Sequence, residues 1–96
     1  MDFTLTVAQI VKAQEKIIGP LAVELARGVD GLELTDLEKK EISFKRDAKL
    51  IVHDLIQTYS QFFGKASVEI CKTIIQKTCP DLSTEDMHII TDNTLN

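Results

Sequence analysis

The chain has 96 residues, room for one domain and little else. Apolar residues make up 44% and charged residues 27%, the balance of a globular chain and not of a disordered one. The net charge is −4, and the densest basic groups, Lys39-Lys40 and Lys45-Arg46, sit among Asp36, Glu38, Glu41 and Asp47, which argues against nucleic acid and against an anionic membrane surface as partners.

No apolar run approaches the ~20 residues of a membrane span. Met1-Asp2-Phe3-Thr4 lacks the basic and apolar regions of a signal peptide. Thr4 or Thr6 is expected to cap a first helix. Its apolar face is Val7, Ile10, Val11, Ile17 and Ile18, with Gln14 on the same side, the i, i+3, i+4, i+7 spacing of an amphipathic helix. Gly19-Pro20 interrupts it, because proline disfavours helical geometry in the residue before it yet suits the first turn of a new helix. A short second helix to about Arg27 completes a first helical unit over residues 4–28, with Gly28 as its stop.

Residues 31–45 admit two readings. Leu32-Glu33-Leu34-Thr35 and Glu41-Ile42-Ser43-Phe44-Lys45 each alternate apolar and polar around a polar stretch, the pattern of a β-hairpin. Thr35-Asp36-Leu37-Glu38 also fits a helical capping box, and Leu37, Phe44 and Ile51 could share a stripe, which would make the chain an all-α bundle. The hairpin is favoured because it sets Leu32, Leu34, Ile42 and Phe44 on one face, whereas Ile42 lies off the helical stripe.

Residues 47–79 read as a second helical unit. Asp47 caps a helix from Ala48 to about Phe63, whose face is Ile51, Val52, Leu55, Ile56, Tyr59, Phe62 and Phe63. Gly64 interrupts it, but Lys65 stands where the first unit has Pro20, so a softer break is expected. Ala66, Ile70, Cys71, Ile74, Ile75, Thr78 and Cys79 form one side of the next helix, which Pro80 ends. Ser83 caps a short helix over residues 83–91, and residues 93–96 are expected to fray.

The two units spell one pattern, with Gly64 45 residues after Gly19. Ile17-Ile18-Gly19, three spacers and Val23-Glu24-Leu25-Ala26-Arg27 answer Phe62-Phe63-Gly64, three spacers and Val68-Glu69-Ile70-Cys71-Lys72. Two copies are too few for a solenoid and predict a pseudo-symmetric domain with structural bends at Gly19, Pro20 and Gly64. The fold expected is α+β and mainly helical, two helix-break-helix units flanking a hairpin.

Chemistry-bearing residues are sparse. Glu24 and Glu69 occupy equivalent places, and paired carboxylates serve acid–base work or metal binding. Each, however, has a basic residue three positions on, Arg27 and Lys72, which reads as a surface ion pair of roughly 0.2–0.5 kcal/mol. His53, His88, Cys71 and Cys79 do not fall at zinc-ligand spacing. Neither glycine break belongs to a phosphate-binding motif. No metal, cofactor or catalytic residue is therefore assigned. Cys71 answers Ala26 in the first unit, so the position calls for something small and apolar. On one helix, Cys71 and Cys79 would stand roughly 12 Å apart, too far for a disulfide, which points to a reduced, cytosolic compartment.

The apolar supply exceeds what narrow helical stripes hide. Ile17-Ile18 and Phe62-Phe63 are adjacent pairs, so one member of each leans away from the core. Ile17, Ile18, Tyr59, Phe62 and Phe63 are the interface candidates on this reading, for a homodimer or another protein partner. Ile18-Gly19-Pro20-Leu21-Ala22 resembles an Ile-Gly-Pro-x-Ala signature of small, mostly helical modules that accompany bacterial signalling and response-regulator proteins. The second unit departs from it with Gly64-Lys65-Ala66-Ser67. The resemblance implies a non-enzymatic regulatory or interaction module. A small-molecule carrier or sensor with an apolar pocket between the units, walled by Tyr59, Phe62 and Phe63, is the alternative. A small enzyme using Glu24 and Glu69 stands third.

Overall fold

The computed structural model describes residues 2–91. The elements are α1 (Thr4–Ile18), α2 (Leu21–Arg27), β1 (Leu32–Asp36), β2 (Glu41–Phe44), α3 (Ala48–Phe63), α4 (Lys65–Thr78) and α5 (Thr84–Thr91). The fold is mainly helical α+β, and 32–44 is a two-stranded antiparallel hairpin, not a helix. The tail over residues 93–96 lies outside the described residues.

The helix starts follow local capping chemistry. Asp47 accepts from the Lys49 N–H at 3.1 Å and opens α3. Ser83 accepts from the Asp86 N–H at 3.0 Å and opens α5. At α1 the cap differs from the sequence expectation. Neither Thr4 nor Thr6 serves; the Asp2 carboxylate accepts from the Thr4 N–H at 2.8 Å. Thr6 is instead fully buried one turn in, sharing a hydrogen bond of 2.7 Å with Thr78 at the far end of α4.

The breaks at the two glycines are the same structure. Gly19 has φ 72° and ψ −153°, and Gly64 has φ 73° and ψ −156°. That region is close to the mirror image of an extended conformation and is essentially reserved for glycine. The softer break expected at Gly64 for want of a proline does not occur. The left-handed glycine turns the chain, and Pro20 only occupies the N-cap of the helix that follows.

The two units close on each other by equivalent contacts. Gln14 on α1 accepts a hydrogen bond from the Ser67 hydroxyl on α4 at 3.0 Å. Its counterpart Tyr59 on α3 donates to the Ala22 carbonyl on α2 at 2.7 Å. Ala22 and Ser67 are themselves counterparts in the repeat. Around these two polar contacts the core is aliphatic. Val7, Ile10, Val11, Ile51, Val52, Leu55, Ile56, Val68 and Ile75 are all fully buried, each worth about 1.5–3 kcal/mol relative to exposure. Cys71 and its counterpart Ala26 are both fully buried, as a small apolar position requires.

The hairpin lies against this core through Leu32 and Leu34, with Ile42 and Phe44 half-buried beside them. Leu32 pairs with Phe44 and Leu34 with Ile42, and the ladder is irregular between Leu34 and Asp36. Glu33, Thr35, Glu41 and Ser43 form the opposite, exposed face. Arg46 fastens the exit of β2, pairing with the Asp54 carboxylate on α3 while its Nε donates to the Asp30 carbonyl at 3.0 Å.

Candidate interaction surface

Tyr59 reaches Ala22, just past the first glycine elbow, and Gln14 reaches Ser67, just past the second. Both elbows therefore share one end of the molecule. Ile17, Leu21 and Phe62, with 60%, 44% and 59% of their surface exposed, stand on that end. Ile17 and Phe62 are counterparts in the repeat, as are the exposed pair Leu5 and Leu50 at the other ends of α1 and α3. Exposed apolar residues at matched places mark a surface that both units present to solvent.

The five interface candidates separate on burial. Ile17 and Phe62 are exposed, while Ile18 and Phe63 are half-buried and packed against the core. The Phe62 ring leans on Phe63 with centroids 6.1 Å apart and planes tilted by 36°. Tyr59 is a correction. It is fully buried, its hydroxyl bonds to Ala22, and it belongs to the seam between the units. Burial pushes its hydroxyl above the ordinary phenol range, with the neighbouring Cys71 and Glu15 acting in the same direction.

The carboxylate pair does not behave symmetrically. Glu69 and Lys72 form the i, i+3 pair at 3.6 Å. Arg27 instead turns to the hairpin and donates to the Leu34 carbonyl at 3.3 Å. Both glutamates are exposed. Among the described residues no three His, Cys, Asp or Glu side chains gather as metal ligands do. No described helix is long and apolar enough to cross a membrane. Cys71 and Cys79 are free thiols, both buried. Burial raises the Cys71 thiol to about 12, against a small opposing effect of Gln14.

One polar cluster escapes the sequence reading. Asp54 accepts from Arg46 on one side and stands 3.1 Å from His53 Nδ1 on the other. Burial alone would raise its carboxyl, but the hydrogen bonds from Arg46 and His53 outweigh that and hold it below the ordinary range. An eight-residue separation between Arg46 and Asp54, spanning a helix cap, carries no periodic signal that would have announced it.

The edges of the hairpin are unequal. The Gly31 carbonyl accepts from the Lys45 N–H at 2.7 Å. Antiparallel ladders alternate inward and outward backbone groups, so those of Leu32 and Leu34 on β1, and of Ile42 and Phe44 on β2, turn away from the partner strand. On β1 the Leu32 N–H is taken by the Val29 carbonyl and the Leu34 carbonyl by Arg27. On β2 the Ile42 N–H donates to the Lys40 carbonyl at 3.0 Å within the turn.

No family model, curated protein or solved structure matches the chain.

Proposed function

We propose that the protein is a non-catalytic interaction module that associates with a second copy of itself and offers its apolar end to a protein partner. The observation that carries the reading is the exposure of Ile17, Leu21 and Phe62 together at the elbow end, with the first and last at equivalent places in the two units. A polar substitution at such positions costs a folded monomer little, so apolar residues there fit a surface that is covered in use. The Ile-Gly-Pro-x-Ala resemblance at the first elbow points the same way, to a regulatory module. A carrier would need its ligand between the units, where the Gln14–Ser67 and Tyr59–Ala22 contacts already bring the two faces together.

Sedimentation velocity over a concentration series, from low to high micromolar, tests the self-association. A reversible monomer–dimer equilibrium is expected. A chain that stays monomeric throughout overturns that part of the reading. Native mass spectrometry of the same material, showing a retained small molecule, would move the conclusion to a carrier.

A further inference from the structure

We propose that two copies of the chain join along β2, antiparallel, with the two-fold axis at Ser43, into a four-stranded sheet. The inference rests on the self-association proposed above and specifies where it occurs. Exposed sheet edges pair readily with other chains, and proteins cover those they do not use. Here Val29 and Arg27 take the Leu32 N–H and the Leu34 carbonyl, two of the four outward groups of β1, whereas on β2 the turn takes the Ile42 N–H alone and the outward Phe44 N–H and the Phe44 and Ile42 carbonyls have no hydrogen-bond partner among the described residues.

The sequence of β2 is complementary to itself in one register. Outward groups sit at Ile42 and Phe44, so hydrogen-bonded pairs across a new edge must join these two positions. Centring the axis on Ser43 does this twice, Ile42 of each copy facing Phe44 of the other. The Phe44 N–H of each copy then donates to the Ile42 carbonyl of the other without disturbing the turn bond at Ile42. The same register sets Glu41 opposite Lys45 of the second copy, again twice, on the exposed face. On the inner face it covers Ile42 and Phe44, which the monomer leaves half-buried. An aromatic facing a β-branched residue and opposite charges are both favourable cross-strand pairs. Moving the axis to Phe44 sets Glu41 against Asp47 and Ile42 against Arg46. Moving it to Ile42 sets Phe44 against Lys40 and loses the charge pair. In the monomer the Lys45 ammonium makes a surface pair with Glu33 at 3.6 Å, both side chains more than half exposed, an interaction weak enough to be shared.

Charge reversal tests the register. Glu41→Lys and Lys45→Glu each place like charges opposite one another twice, and each is expected to raise the dimer dissociation constant roughly tenfold. The double variant Glu41→Lys/Lys45→Glu should return it to within about threefold of the wild type, since the pairs reform with reversed sign. Thermal melts of all three check that the monomer fold is kept. Independently, Ser43→Cys should give a disulfide-linked dimer on mild oxidation, because directly opposed residues of a non-hydrogen-bonded pair lie close enough to bridge. Thr35→Cys, on the other strand, should not. A dimer that ignores all three charge variants, and an uncrosslinked Ser43→Cys, overturn the proposal. If Ile17→Asp or Phe62→Asp dissociates that dimer instead, self-association stands and its surface is the elbow end. A wild-type monomer removes both.

Discussion

Neighbouring residues of the same type carry opposite duties here. Phe62 and Phe63 differ by one position, about 100° around α3, which is enough to put one ring in solvent and the other on the core. Phe62→Asp should leave the urea midpoint nearly unchanged, within about 0.5 kcal/mol, as for other surface positions. Phe63→Asp should cost upwards of about 2 kcal/mol, because it sets a carboxylate against apolar neighbours. Equal costs at both positions would mean that the elbow end is not a free surface. Periodicity identifies such a pair but does not choose its inward member, since both lie near the rim of the apolar stripe. Tyr59 misleads for a related reason. Its aromatic ring on the apolar face fits an interface as well as a core, yet a carbonyl three residues past the opposite elbow takes its hydroxyl inside, and nothing in the spacing of Tyr59 and Ala22 announces that partner.

At the level of elements, period-two alternation made the hairpin legible, and the place of Ile42 off the stripe of Leu37, Phe44 and Ile51 was the correct discriminator. The glycine breaks were legible as interruptions and, through the repeat, as counterparts, but that Gly64 would turn as sharply as Gly19 without a proline was not. Proline and lysine carry very different local preferences, and the shared cause is the backbone of the preceding glycine. Gly19→Ala and Gly64→Ala should each lose about 1–3 kcal/mol in chemical denaturation, through the conformation alone, since an added Cβ meets nothing within 4 Å at either site. Lys65→Pro should do the reverse. Gly64 already holds the backbone that precedes Pro20 in the first unit, so the substitution should gain about 0.4–1 kcal/mol by restricting the unfolded chain. A destabilised Lys65→Pro would show that the two elbows differ in a way their dihedral angles do not express.

For the whole molecule, solution conditions report on how the parts are tied. Asp54 has its folded value held below the ordinary 3.8. The stability it contributes is therefore complete above that value and is lost as the pH falls through the depressed one. Urea midpoints measured from neutral to strongly acid pH should fall in that range, and Arg46→Gln should flatten the fall. The effect should be modest, because the Asp54 side chain is 42% exposed. Cys71 reports on the opposite extreme. A buried thiol raised to about 12 should alkylate only as fast as the core opens, so its labelling rate should track global unfolding across denaturant. Rapid labelling in native buffer would mean that the seam between the units opens on its own.

The seam has a consequence for a severed chain. Among the described residues five hydrogen bonds cross between the units, Gln14 to Ser67 and Cys71, Tyr59 to Ala22, and Thr6 to Thr78 and Cys79. The peptide link between the units, by contrast, runs through the hairpin tip, where Lys39 and Lys40 are exposed. The tip is a tether and not a keystone. A trypsin nick there would leave two fragments, each with one strand and one elbow, still embracing. They would part only when the core is denatured, and would find each other again on dilution from urea.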